Sequence, residues 1–162
     1  MGKEKNTKIL CFQTKITHYA DFDIYDLLKT APSFFKTYKY DFFEKAHAEK
    51  PDGVGFTVES EWNASREVND YVKFEIGIKY WVRDMTKVVY DNGVSTYRGR
   101  VIIFLSASLI KNYAGSFGPQ RSQEFMRQIY ERFVRRPELL GYEDKLADEC
   151  VDFVTAIRDQ LK

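Results

Sequence analysis

Between Tyr71 and Tyr113 the chain alternates in hydropathy with period two, and the run is broken once, by Asp91-Asn92-Gly93. In its first arm Phe74, Ile76, Ile78, Tyr80 and Val82 fall on one side, and Glu75, Gly77, Lys79, Trp81 and Arg83 on the other. Side chains of an extended chain project alternately to opposite faces, so this pattern specifies a strand with one buried and one half-solvated face. Asn92-Gly93 offers the positive backbone φ of a tight hairpin turn, which would fold Met85 to Tyr90 against Ser95 to Arg100. In the second arm Val101, Ile103, Leu105, Ala107 and Leu109 are continuously apolar, whereas Ile102, Phe104, Ser106, Ser108 and Ile110 mix large with small. Such a strand is expected inside the sheet, covered at least in part on both faces.

The flanking sequence supplies the remaining elements. Ile9 to Thr17 alternates as a first strand, and Asp21 or Asp23 can cap a short helix through Leu28. Thr30-Ala31-Pro32 is expected to interrupt it. A second helix is expected from about Ser33 to Glu49, with Phe34, Phe35, Tyr38, Phe42 and Ala46 on one stripe and Tyr40, Phe43 and His47 beside it, ended by Pro51-Asp52-Gly53. Val54 to Asn63 returns to period two, with Phe56, Val58, Ser60 and Trp62 on one side. After the meander, Gly115 to Pro119 breaks the chain, and Phe125, Ile129, Tyr130, Phe133 and Val134 mark a helix from about Arg121, closed by Pro137. Leu139-Leu140-Gly141 reads as a connector. A terminal helix, Glu143 to Leu161, turns Leu146, Cys150, Phe153, Val154, Ile157 and Leu161 inward. The expected architecture is one α+β domain over residues 1–162, in the order β-α-α-β-β-β-β-α-α, with an antiparallel meander of about four to five strands. Residues 1–7 are expected to form a flexible N-terminus.

At 162 residues the chain can bury a sizeable core, and 44% hydrophobic with 30% charged residues suits a soluble domain. Its 25 basic and 24 acidic residues nearly balance, so no global field favours nucleic acid or an anionic membrane. No apolar run is long enough to span a bilayer, and the polar start Met1-Gly2-Lys3-Glu4-Lys5 is not a secretory signal, which makes the cytoplasm the expected location. Cys11 and Cys150 read as reduced, buried small hydrophobes. The sequon Asn63-Ala64-Ser65 would matter only in a secreted protein.

Chemistry-bearing patterns are sparse. His18 and His47 stand far apart, so neither a metal centre nor a cofactor is expected. His18 with Asp21 and Asp23 reads as a helix cap beside a solvated histidine, and Glu59 with Glu61 as solvated carboxylates on one strand face, each able to pair across the sheet with Lys79 or its neighbours. Gly115 to Gly118 lacks the lysine and hydroxyl of a phosphate loop, and no nucleophile elbow or dinucleotide fingerprint is present.

Two local signals remain. Arg121, Arg127, Arg132, Arg135 and Arg136 cluster near Tyr130 and Tyr142, as a solvated helix face does and as a phosphate or RNA contact also would. Aromatic residues make up 16% of the chain. Tyr and Trp on polar faces make good interface anchors. Trp81 is the clearest case: it covers the second sheet face with a helix, lines a cavity, or meets another subunit. Ser106 and Ser108 leave either close packing or empty volume, and close packing is expected because interiors tolerate few voids.

The order of elements distantly resembles the helix-grip fold of START-like and polyketide-cyclase-like domains, in which a curved antiparallel sheet wraps a long C-terminal helix around an apolar cavity. Ile24-Tyr25-Asp26-Leu27-Leu28, Ser60-Glu61-Trp62, Val68 to Phe74 and Phe125 to Tyr130 resemble uncharacterised small archaeal proteins, a resemblance that implies no activity. The leading expectation is therefore a non-enzymatic module for a protein partner or self-assembly, working through Trp81, Arg127, Tyr130 and Arg135. The alternative is a helix-grip-like carrier of an apolar small molecule, with Trp62, Phe104, Ser106, Ser108 and Phe153 as cavity walls. A third reading binds RNA through the Arg-rich segment near 121–136.

Overall fold

A computed structural model describes residues 7–52, 55–69, 71–111 and 136–161. Along the chain lie β1 (Thr7–Phe22), α1 (Ile24–Thr37), β2 (Asp41–Asp52), β3 (Gly55–Glu67), β4 (Val72–Val89), β5 (Ser95–Lys111) and α2 (Arg136–Gln160). The fold is α+β. Five strands form one antiparallel sheet in the order β1-β5-β4-β3-β2, so the first strand lies beside the last.

One face of this sheet is the core. Val58, Trp62 and Ala64 of β3, Phe74 to Val82 of β4 at alternate positions, and Val101 to Leu109 of β5 at alternate positions are all buried. Both described helices pack on that face. The apolar stripe of α1 is Ile24, Leu27, Ala31 and Phe35, and that of α2 is Leu146, Cys150, Phe153, Val154 and Ile157. They meet through Phe35 and Phe153, whose ring centroids are 5.0 Å apart, and Phe35 also stacks with Phe42 of β2 at 5.7 Å.

Several expected boundaries are corrected. Asp23, not Asp21, caps α1, accepting from the amides of Tyr25 (2.9 Å) and Asp26 (3.2 Å) through Oδ1. The helix then runs straight through Pro32, because its buried stripe continues unbroken to Phe35 and that packing outweighs one lost backbone hydrogen bond. It ends in a Schellman turn. Lys39 adopts φ 64°, its amide donates to Lys36 O (3.1 Å), and the Tyr40 amide donates to Phe35 O (2.8 Å), with the two rings edge to face at 5.5 Å. The segment expected as a second helix to Glu49 is instead the edge strand β2, whose backbone groups pair with β3. His47 is therefore a strand residue.

At the other end, the described α2 covers Arg136–Gln160 and passes through Gly141, so 139–141 is helix and not a connector. Arg136 and Pro137 both lie within this helix, so Pro137 does not hold Arg136 out of helical geometry. The expected helix from Arg121 to Val134 lies outside the described residues. The β4–β5 hairpin forms in the expected place, with a different turn. The Gly93 amide donates to Tyr90 O (2.9 Å) and only Gly93 takes positive φ (81°), so Asn92 closes an ordinary turn and glycine makes the bulge after it.

Polar clamps tie the layers together. Buried Glu149 of α2 accepts from Tyr40 (2.6 Å) and from the Arg66 guanidinium (3.0 and 3.2 Å), while Arg66 also donates to Tyr38 O (2.6 Å) and lies over the Tyr40 ring. On the outer face Asp21 takes two hydrogen bonds from Arg98 (2.6 and 3.0 Å) and one from Tyr90. Those bonds, Arg98's first and then Tyr90's, hold the Asp21 carboxyl below its usual range.

Candidate functional site

The outer face of the sheet, opposite α1 and α2, carries the candidate site. Strand register sets its side chains in rows across β3, β4, β5 and β1. Asn63, Gly77, Ser106 and Gln13 stand abreast in one row. On one side of it runs Ser65, Glu75, Ser108 and Leu10; on the other, Glu61, Lys79, Phe104 and Lys15, followed by Glu59, Trp81, Ile102 and Thr17. Gly77, Ser106 and Ser108 are small residues in the two central strands, bordered by long ones. The result is a groove of about 490 Å³ over Gly77, whose wall includes Trp81, Phe104, the cations Lys79, Lys45 and Lys8, and the carboxylates Glu61 and Glu75. Ser106 and Ser108 thus leave open volume, contrary to the close packing expected of them.

Aromatic and charged groups frame this groove. Trp81 and Phe104 meet edge to face at 5.2 Å. The Arg83 guanidinium lies 5.1 Å from the Trp81 ring and the Lys15 ammonium 5.4 Å from that of Phe104. Lys8 reaches across β5 to Glu75 at 3.0 Å. Among the described residues, Lys45, Lys79 and Glu61 take part in no ion pair, although Glu61 and Lys79 are direct cross-strand neighbours. Asn63 Oδ1 is buried at the groove without a hydrogen-bond partner among the described residues.

The residues singled out from sequence separate onto the two faces. Trp81, Phe104, Ser106 and Ser108 come together at the groove, and Trp62 borders it while packing on Tyr80 at 4.6 Å. Phe153 lies across the sheet in the core, 1% exposed, and shares no cavity with them. Arg127, Tyr130 and Arg135 lie outside the described residues. His18, Asp21 and Asp23 do not converge: Asp23 caps α1 and Asp21 holds Arg98, while His18 turns to the helix-bearing side, where its Nε2 is buried without a partner. Among the described residues no cluster of three or more His, Cys, Asp or Glu side chains is shaped to hold a metal, and no helix is long and apolar enough to cross a membrane.

One constellation escaped sequence reading because His47 was assigned to a helix. Its Nδ1 lies 2.6 Å from Ser60 Oγ and its Nε2 3.3 Å from Glu49. Hydroxyl, imidazole and carboxylate follow one another as in a nucleophile relay. Ser60, however, is 3% exposed on the core side of β3, too enclosed to meet a substrate carbonyl. The contacts serve to fasten β2 beyond its bulge at Glu44–Ala46.

Searched against models of protein families and against curated proteins, the sequence matches none.

Proposed function

We propose that this protein is a non-catalytic binding module whose working surface is the outer face of the sheet, centred on the groove over Gly77. The observation that carries this reading is the coincidence of an open groove with the Trp81–Phe104 pair and an unsatisfied acceptor, Asn63 Oδ1, on a face that neither described helix covers. The lining is largely polar and charged, with Trp81 and Phe104 supplying its apolar contact. The lysines around the groove suit a partner with acidic groups more than a purely apolar cargo.

The order β1-β5-β4-β3-β2, with a long C-terminal helix packed across the sheet, supports a relationship to helix-grip domains. Between sheet and helices, however, the space is filled by Phe35, Phe74, Tyr80 and Phe153, each at most 1% exposed. A carrier working inside the grip would need that volume empty, so the outer groove is the better seat for a ligand. Self-assembly through Trp81 uses the same face and is read out by the same experiment.

Native mass spectrometry of the freshly purified protein, beside its Trp81→Ala variant, tests the proposal. The expected result is a bound species, small molecule or second copy, on the wild type that the variant loses. A species retained in full by Trp81→Ala contradicts it.

A further inference from the structure

Beyond the groove, the outer face carries an unneutralised basic row. Arg83 of β4 and Arg100 of β5 stand directly opposite each other, and both are exposed. Like charges so placed repel, and Arg83's stacking on Trp81 offsets only part of that. Neither has a carboxylate partner among the described residues, whereas the next arginine along β5, Arg98, is neutralised by Asp21. Tyr19, 64% exposed, lies abreast of Arg100 on β1. Between this row and the groove sit Trp81 and Phe104, with Lys79 and Lys15 on either side of Phe104 in register. The carboxylates of this face are Glu59 and Glu61 on β3, abreast of Trp81 and Lys79, with Glu75 taken up by Lys8 and Asp21 by Arg98.

Resting on the outer face as the working surface, we infer that its occupant is a single-stranded nucleic acid, running along β4, β5 and β1 from Arg83 and Arg100 over the aromatic pair into the groove. Trp81 and Phe104 are part-exposed and Tyr19 is exposed, and accessible rings flanked by cations are what base stacking and phosphate contact require together. From Arg83 to Gly77 the path is roughly 20 Å at strand rise, enough for several nucleotides. Arg83 and Lys15 now cover ring faces, the positions that bases would take, and each freed cation then meets a phosphate. Glu61 and Glu75 border the groove end of this track, so the phosphates are expected to follow Arg83, Arg100, Lys15 and Lys79 on the side away from β3.

The test is fluorescence anisotropy of the full chain with a labelled single-stranded RNA of about 12 nucleotides, against the same sequence as a duplex. With three to four phosphate contacts, raising salt from about 50 to about 250 mM weakens binding about 30- to 100-fold. Arg100→Gln makes the salt dependence shallower by about 0.7 in log–log slope. Trp81→Ala leaves that slope intact and weakens binding about tenfold, because it removes stacking and no charge. Both side chains lie on the outer face, and a thermal melt of each variant verifies the fold. Absence of saturable binding at the lower salt overturns the inference, as does equal affinity for the duplex or indifference to both substitutions. If RNA fails while native mass spectrometry still finds a species lost from Trp81→Ala, the face binds something else, and only the nucleic-acid inference falls.

Discussion

Gly77 and Tyr80, three positions apart on β4, break the rules of a packed sheet in opposite ways. Gly77 leaves volume unfilled on the outer face, although its backbone does not need a glycine and an added Cβ would meet only Ser106 Oγ, at 3.4 Å. Tyr80 does the reverse on the inner face, where its hydroxyl is buried without a hydrogen-bond partner and the ring is fully enclosed. A buried donor without a partner is costly, so Tyr80→Phe is expected to stabilise the fold by about 1 kcal/mol. Urea denaturation measures this, and a lower midpoint for the variant would show that the hydroxyl has a partner after all. Neither anomaly was visible in the sequence. Tyr80 sat in phase with the apolar residues, and Gly77 with the polar ones, as ordinary members of an alternating strand. What the alternation could not supply was the register that sets Gly77 beside Ser106 and Asn63.

Elements were legible where one periodicity prevailed. The β3, β4 and β5 alternation and the α2 stripe from Leu146 to Leu161 follow directly from residue spacing, because each has one face that must be dry. Reading failed where local breakers seemed to outrank the stripe, at Pro32, Pro137 and Gly141, and where Phe42, Ala46 and Tyr38 happened to fit a helical period that the Schellman turn at Lys39 ends. Assembly of these elements leans on one buried cluster. Glu149 joins α2 to β3 through Arg66 and to the start of β2 through Tyr40. Its replacement by alanine strands a guanidinium whose side chain is only 18% exposed, and is expected to cost about 3 kcal/mol. Tyr40→Phe, which leaves the ion pair whole, should cost about 1 kcal/mol. Equal losses from the two substitutions in chemical denaturation would refute the ranking.

For the whole molecule, composition hides more than it reveals. A net charge of +1 conceals how the outer face is laid out, with Glu59 and Glu61 along β3 on one side and Lys79, Arg83, Arg100 and Lys15 on β4, β5 and β1 on the other. Burial also sets how the molecule responds to alkali. It pushes the Cys150 thiol up to about 12, with Glu149 adding to the shift, and raises the Tyr40 and Tyr80 hydroxyls above their ordinary 10.0. These groups ionise in the unfolded chain before they do in the folded one. Their contribution is thus complete below pH 9.0, the ordinary thiol value, and declines as pH rises above it. The urea midpoint should therefore fall steadily above pH 9.0, and Cys150→Ala should make that fall shallower, burial of Cys11 and the tyrosines carrying the rest; a flat midpoint across that interval would contradict it. The account as a whole turns on the groove over Gly77, and Gly77→Val tests it most directly because valine suits a strand and its methyls fill only the outer space. Native mass spectrometry and a thermal melt of this variant should show an unchanged or higher melting temperature together with loss of the species that the wild type binds. Undiminished binding by a fully folded Gly77→Val protein would place the working surface elsewhere.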